Sequence, residues 1–177
     1  HEIGNDWSLY LDYYNQHQKT NLYDSIFTLL EPGYALVNWV SAQINLGIYG
    51  VNLFCGIIFM FGLIYFCKSQ PYPWISLGIA MPFLGVVFAM GSTRQAAAFG
   101  IMFIAIVSLI KGNQTKYFAL IFLAMTFHRS AVIMMPFGIF VVEKNKIRHI
   151  LIYTVLLLCG LWMVWEKLQY YVTYFVM

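Results

Sequence analysis

The stretch GIYGVNLFCGIIFMFGLIYFC, Gly47 to Cys67, contains no charged residue. At about 1.5 Å rise per residue, a helix of that length matches the roughly 30 Å hydrocarbon core of a bilayer. The rest of the chain agrees with it. Of 177 residues, 61% are hydrophobic, 19% aromatic and 10% charged, and mean hydropathy is +0.71. A soluble domain carries about 25% charged residues. One core of this size cannot bury so much apolar surface, so lipid is the expected solvent for much of the chain.

Working outward, three further stretches read as spans: Trp74–Met90, Gln95–Lys111 and His149–Trp165. Upstream, residues 34–46 are apolar but interrupted by Asn38, Ser41, Gln43 and Asn45, the pattern of an interfacial helix. Residues 1–33 are polar, acidic and Tyr-rich, and are expected as short helices or loops outside the hydrocarbon. Two regions follow: an extracytoplasmic segment, 1–46, and a helical membrane bundle, 47–177. The chain starts at His1 without a leader, and it reads as an internal piece of a longer membrane protein. Cys55, Cys67 and Cys159 lack metal-ligand spacing and read as buried thiols. Pro82 and Pro136 are expected to kink their helices.

Residues 117–142 need separate treatment, because His128 and Arg129 lie in their middle. A continuous helix would hold both near the bilayer centre, at high cost. Residues 117–127 rise only about 16 Å, too little to cross. A hairpin of two short helices, entering and leaving on one side, puts Lys68, Lys111, Lys116, Lys144, Lys146 and Arg148 on one face. Five of the seven acids (Glu2, Asp6, Asp12, Asp24 and Glu31) then lie opposite, satisfying the positive-inside rule. A single crossing destroys that bias, so the re-entrant hairpin is preferred, its tip at His128–Arg129 facing outward.

Arg94 poses the sharpest question. Ser92-Thr93-Arg94-Gln95 fits a capping box, with Gln95 reaching back to Ser92. Arg94 then sits in a helix first turn, where the macrodipole repels a cation. Ser130 is a second candidate N-cap, for a returning helix 131–142, with His128 and Arg129 just before it. Two helix N-termini, two arginines and a histidine on one side form an electropositive cavity. An anion resolves the conflict, since helix N-termini and arginine both grip phosphate. Snorkelling of Arg94 to headgroups is the competing reading. Ala96-Ala97-Ala98 and Gly100 give a small-residue face for close helix approach. Asp6 reads either as the cap of a helix starting at Trp7 or as a base. Trp7, Tyr10, Tyr13, Tyr14 and Tyr23 suit sugar stacking and interfacial anchoring equally well. Lys and Arg are scattered over loops, which argues against nucleic acid as a partner.

These residues carry a family resemblance. Gly4-Asn5-Asp6 with Tyr10, Glu31-Pro32-Gly33-Tyr34 leading to Asn38, Gly91 to Arg94-Gln95 with Ala98, and Phe127-His128-Arg129-Ser130-Ala131 are the stretches concerned. In order and spacing the chain resembles the EpsG-type, Wzy-like polymerases of bacterial exopolysaccharide, capsule and O-antigen. That resemblance implies an all-α, polytopic membrane bundle of about four full spans plus the broken hairpin, GT-C-like, in the bacterial cytoplasmic membrane with its site on the outer face. It implies a glycosyltransferase acting on undecaprenyl-pyrophosphate-linked oligosaccharide repeat units, passing the growing glycan to the next unit. Membrane lipid and other polysaccharide export and chain-length proteins are the further partners implied. Under this reading Arg94 and Arg129 neutralise the leaving pyrophosphate. His128 is general base or a further pyrophosphate donor, and Asp6 is the rival base. Gln95, Ser130, Glu31, Trp7 and Tyr10 contact substrate. No cofactor is expected, and no metal, because the chain shows no carboxylate cluster of the Mg²⁺ type. Two other classes stand beside it: a flippase or transporter of an anionic lipid, and a ligase or acyltransferase with another acceptor.

Overall fold

The structure, a computed structural model, describes residues 7–17 and 31–139. Every regular element among them is a helix: α1 (Trp7–His17), α2 (Pro32–Gln43), α3 (Gly47–Lys68), α4 (Pro73–Ala80), α5 (Thr93–Ile110) and α6 (Gln114–Phe127). A π-helical stretch, Met81–Phe88, and one α-turn, Ala89–Gly91, continue α4, and a 3-10 helix, Arg129–Ile139, follows α6. The chain divides into compact units at 1–131 and 132–177, and the packing below belongs to the first. The expected span His149–Trp165, Asp6, Cys159 and the bases Lys144, Lys146 and Arg148 lie outside the described residues.

Helix α3 is apolar on all sides. Ile48, Val51, Cys55, Phe59, Leu63 and Cys67 are buried, while Tyr49, Leu53, Ile57, Phe61 and Ile64 stand exposed at helical spacing. Water would penalise that outer stripe, whereas lipid accepts it. Helices α3 and α5, of 22 and 18 residues, are long and apolar enough to cross a membrane. The expected span Trp74–Met90 is helical but not one straight α-helix. Pro82 has no N–H to give the preceding turn, and the backbone widens to i→i+5 bonding from Met81 onward. Leu77, Ala80, Leu84 and Ala89 from this segment rest on the core of Phe59, Leu63, Cys67 and Ala96.

The small-residue face of α5 works as expected. Ala96, Ala97, Ala98 and Gly100 are buried. Gly62 of α3 and Gly100 of α5 meet backbone to backbone: a Cβ on Gly62 would overlap the Gly100 carbonyl, and one on Gly100 would lie 2.5 Å from Ile58 O. Without a strong hydrophobic drive between helices in lipid, such contact is a main source of cohesion. Lys111, just past α5, reaches Tyr65 near the end of α3 (Nζ to Oη 3.5 Å), so these two helices run in the same direction. Lys68, Lys111 and Lys116 therefore gather at one end of the bundle, as the charge pattern anticipated.

A tight turn then reverses the chain. Gly112 takes φ +75°, Gly112 N–H bonds Leu109 O, and Asn113 N–H bonds Ser108 O, a Schellman closure. Asn113 Oδ1 accepts from Lys116 N at 3.0 Å and caps α6. Helix α6 runs back along α5 and ends after 14 residues, about 21 Å of rise, short of a full crossing. His128 is extended there (φ −155°, ψ 121°), so the segment is broken at the residue where the sequence argued for a break. The 3-10 helix begins at Arg129, which puts Ser130 inside the helix and not at its N-cap.

Helix α2 starts at Pro32, whose missing N–H is harmless at a first helical position. It packs on α1, α3 and α6. Its polar residues Asn38 and Ser41, which suggested an interfacial helix, are buried. Asn38 Nδ2 donates to Tyr34 O (2.9 Å) and Ser41 Oγ donates to Gly47 O (2.6 Å). Gly33 lets α2 approach the end of α6, where a Cβ would meet Thr126 Oγ1 and the Phe127 ring.

Candidate active site

Three helix ends converge opposite the lysines. Glu31 immediately precedes α2, Arg94 is in the first turn of α5, and His128 follows α6. The α5–α6 reversal brings the last two together, and Gly33 draws the first against them. Glu31 joins all three. Its Oε2 accepts from Arg94 Nη1 at 3.0 Å, and its Oε1 lies 3.1 Å from His128 Nδ1. The Glu31, Arg94 and His128 side chains are 12%, 19% and 23% exposed, so the cluster is largely sheltered.

The anion that Arg94 demands is thus already supplied within the chain. The capping box is not formed: Ser92 takes the N-cap position (φ −142°, ψ 77°) but its side chain makes no cap hydrogen bond. The first turn is stabilised from outside by Glu31, a negative charge where the dipole favours one. Burial alone would raise the Glu31 carboxyl. The hydrogen bond to His128 and the charge of Arg94 outweigh that, so it titrates below its ordinary value and is ionised at neutral pH. An ionised carboxylate only accepts, so Nδ1 of His128 carries the hydrogen of this bond.

Aromatic rings surround the arginine. The Cζ of Arg94 lies 5.2, 5.3 and 5.8 Å from the ring centroids of Tyr10, Tyr13 and Tyr34. Tyr10 is only 5% exposed and packs 6.0 Å from the Tyr34 ring. Its ring, read from the sequence as a sugar platform or anchor, is engaged with the guanidinium. Arg94 Nε is buried and makes no hydrogen bond. Tyr34 Oη and Thr93 Oγ1 are also buried without one of acceptable geometry, although Thr93 and Asn38 lie near enough to favour the phenolate. Burial dominates and pushes the Tyr34 phenol up, so it stays protonated.

Of the residues singled out, the structure brings Arg94, His128, Glu31 and Tyr10 together. Gln95 is in the same first turn, partly buried. Arg129 follows His128 and is half-buried, and Ser130 is exposed. Trp7 opens α1, and its side chain lies outside the described residues, as does Asp6. Tyr34 and Thr93 were missed as site residues. Tyr34 stands three residues from Glu31, so it returns to the same helix face one turn on, which was the available signal. Among the described residues, no group of three or more His, Cys, Asp and Glu forms.

No curated protein sequence and no solved structure gives a significant match. A family model matches residues 1–176, the described residues are helical and include two membrane-length helices, and the chain belongs to the EpsG family.

Proposed function

We propose that this chain polymerises lipid-pyrophosphate-linked oligosaccharide repeat units, at a site on the outer face of the bacterial cytoplasmic membrane. Membership of a polysaccharide polymerase family supports the reaction class. The observation that carries the reading is the single carboxylate of Glu31 holding an arginine and a histidine at the end of the bundle remote from the lysines.

The acceptor hydroxyl oxygen attacks the anomeric carbon of the growing glycan. The bond from that carbon to the pyrophosphate oxygen breaks, and the lipid pyrophosphate leaves with the electron pair. Arg94 meets the charge that develops on it, with Arg129 adjacent in sequence. His128 Nε2 takes the acceptor proton, its ring held by the bond from Nδ1–H to Glu31. This is the logic of a base oriented by a carboxylate.

The test is reconstitution of the full chain with repeat units on their lipid pyrophosphate. Longer glycan and released lipid pyrophosphate are expected, both lost in Arg94→Ala and His128→Ala. Movement of the lipid across the bilayer without glycan lengthening would overturn the assignment in favour of transport. Near-normal polymer from Arg94→Ala would refute the pyrophosphate role.

A further inference from the structure

Glu31 is an anion seated on the arginine that, on the reading above, must receive the donor's anion. A guanidinium offers five N–H donors along its edge. Three tyrosine rings lie beside it, Nη1 is engaged by Glu31, the Tyr10 side chain is within hydrogen-bonding reach of the guanidinium, and Nε has no hydrogen-bond partner. The rings hold the group in place while its edge is only partly used. A phosphate presenting two oxygens to that edge meets the charge of Glu31 there. The same carboxylate binds His128 through its other oxygen.

We propose that Glu31 is an exchangeable counter-ion: the donor's phosphate displaces it from Arg94, and its charge then falls wholly on His128, strengthening the base once the leaving group is in place. The inference rests on the proposed function, from which it takes the ligand. In the resting site the carboxylate is shared between a full cation and an imidazole. After exchange Arg94 is neutralised by phosphate, and Glu31 stabilises only the imidazolium that forms as Nε2 accepts the acceptor's proton. Among the described residues, the charged and titratable groups of this cluster are Glu31, immediately before α2, Arg94 from α5 with Tyr10 and Tyr13 of α1 and Tyr34 of α2 beside it, and Arg129, next in the chain to His128. Among the described residues, Glu31 alone contacts both Arg94 and His128 through its carboxylate, and it is a positioning residue in this scheme.

The signature is a split between binding and turnover. Removing a competing charge-assisted bond in Glu31→Gln should tighten inorganic pyrophosphate binding to the purified full chain by about three- to tenfold. The same variant should lower kcat while lowering KM for the lipid-linked donor. A merely structural Glu31 would weaken both. Glu31→Asp keeps the charge but is one methylene short of bridging both partners, and should show reduced kcat with intermediate pyrophosphate affinity. A second readout guards against a misfolded Glu31 variant: pyrophosphate binding near neutral pH should take up more protons in wild type than in His128→Gln. If wild type binds no pyrophosphate, the reading of the site falls and this inference with it. If wild type binds it through Arg94 but Glu31→Gln binds no tighter, or proton uptake is the same in His128→Gln, the exchange alone is refuted.

Discussion

Gly100→Ala is a small substitution placed where the structure leaves no room. Its Cβ would stand 2.5 Å from Ile58 O and 2.6 Å from Phe59 Cα, both backbone atoms of α3. No rotamer change relieves a backbone clash. Ordinary contact begins near 3.4 Å, so the helices must part by 3.4 − 2.5 = 0.9 Å at that point. Overpacking of this kind costs about 1–3 kcal/mol, and backbone against backbone belongs at the upper end. Helix propensity returns up to about 1 kcal/mol for replacing Gly by Ala. The net expectation is about 2 kcal/mol of destabilisation, roughly a thirtyfold fall in the folded-to-unfolded ratio. Gly56 is the internal control, because it lies in α3 with nothing within 4 Å of its would-be Cβ. There Gly→Ala should be neutral or stabilising by up to about 1 kcal/mol. The assay is thermal unfolding of each variant in one detergent, with Gly62→Ala and the double variant included. Both single variants at the α3–α5 crossing should fall below wild type, and the double should be less than additive because one contact is lost twice. Gly100→Ala as stable as Gly56→Ala would refute the close crossing, and with it the placement of Arg94 at the head of α5.

Three further outcomes follow from the site and the topology. The folded carboxyl of Glu31 titrates below its unfolded value of about 4.3, so its stabilisation is full above that pH and lost as pH falls through the folded value. Acid unfolding of Glu31→Gln should lack that portion of the transition, and an unchanged acid limb would remove Glu31 from the ion pair. Tyr10→Phe keeps the ring beside Arg94 but loses the hydroxyl within hydrogen-bonding reach of it, and should lower kcat less than Tyr10→Ala, which should lower kcat more than it lowers abundance; equal losses of kcat and abundance in Tyr10→Ala would mark Tyr10 as packing only. Cysteines placed at exposed Ser69 and Thr115, in a parent lacking the native ones, should both resist an impermeant thiol reagent in intact cells and react after permeabilisation; labelling of either before permeabilisation would contradict the shared inner end of α3 and α5.

Local chemistry was legible in the sequence, and distant pairing was not. The small face at Ala96–Gly100, the break at His128 and the gathering of Lys68, Lys111 and Lys116 each follow from properties of a short segment: side-chain size, the cost of charge in lipid, and the sign of loop charge. Arg94 was recognised as a cation in want of an anion. Its partner Glu31 is 63 residues away, and His128 is 97 residues from Glu31, so no periodicity connects them. The sequence alone therefore points to an anion outside the chain. The Ser92 cap fails for the same reason, because Glu31 satisfies the end of α5 electrostatically and the serine is not required. Pro82 was read as a kink, but its effect spreads along eight residues of π-helix, since each shifted bond sets the register of the next. Helix α2 was read as interfacial from its polar residues. Asn38 and Ser41 bond to backbone carbonyls instead, which lets amide and hydroxyl groups lie inside.

The span of chain between Glu31 and its partners also fixes an order of events during synthesis. Ribosomes add about 5–20 residues per second, so Glu31 leaves the peptidyl-transferase centre some seconds before Arg94 exists. Helix α3 and the proline-broken segment after it are made while the carboxylate has no guanidinium to meet. With the site on the outer face, as proposed, the head of α5 to be carried across bears a positive charge, the kind of residue membranes translocate reluctantly. A negative group already waiting on the far side offers that charge a destination, and drawing Arg94 to it would pull the Gly62–Gly100 crossing into register. The carboxylate is thus available as a latch for assembly before histidine, substrate or chemistry is present.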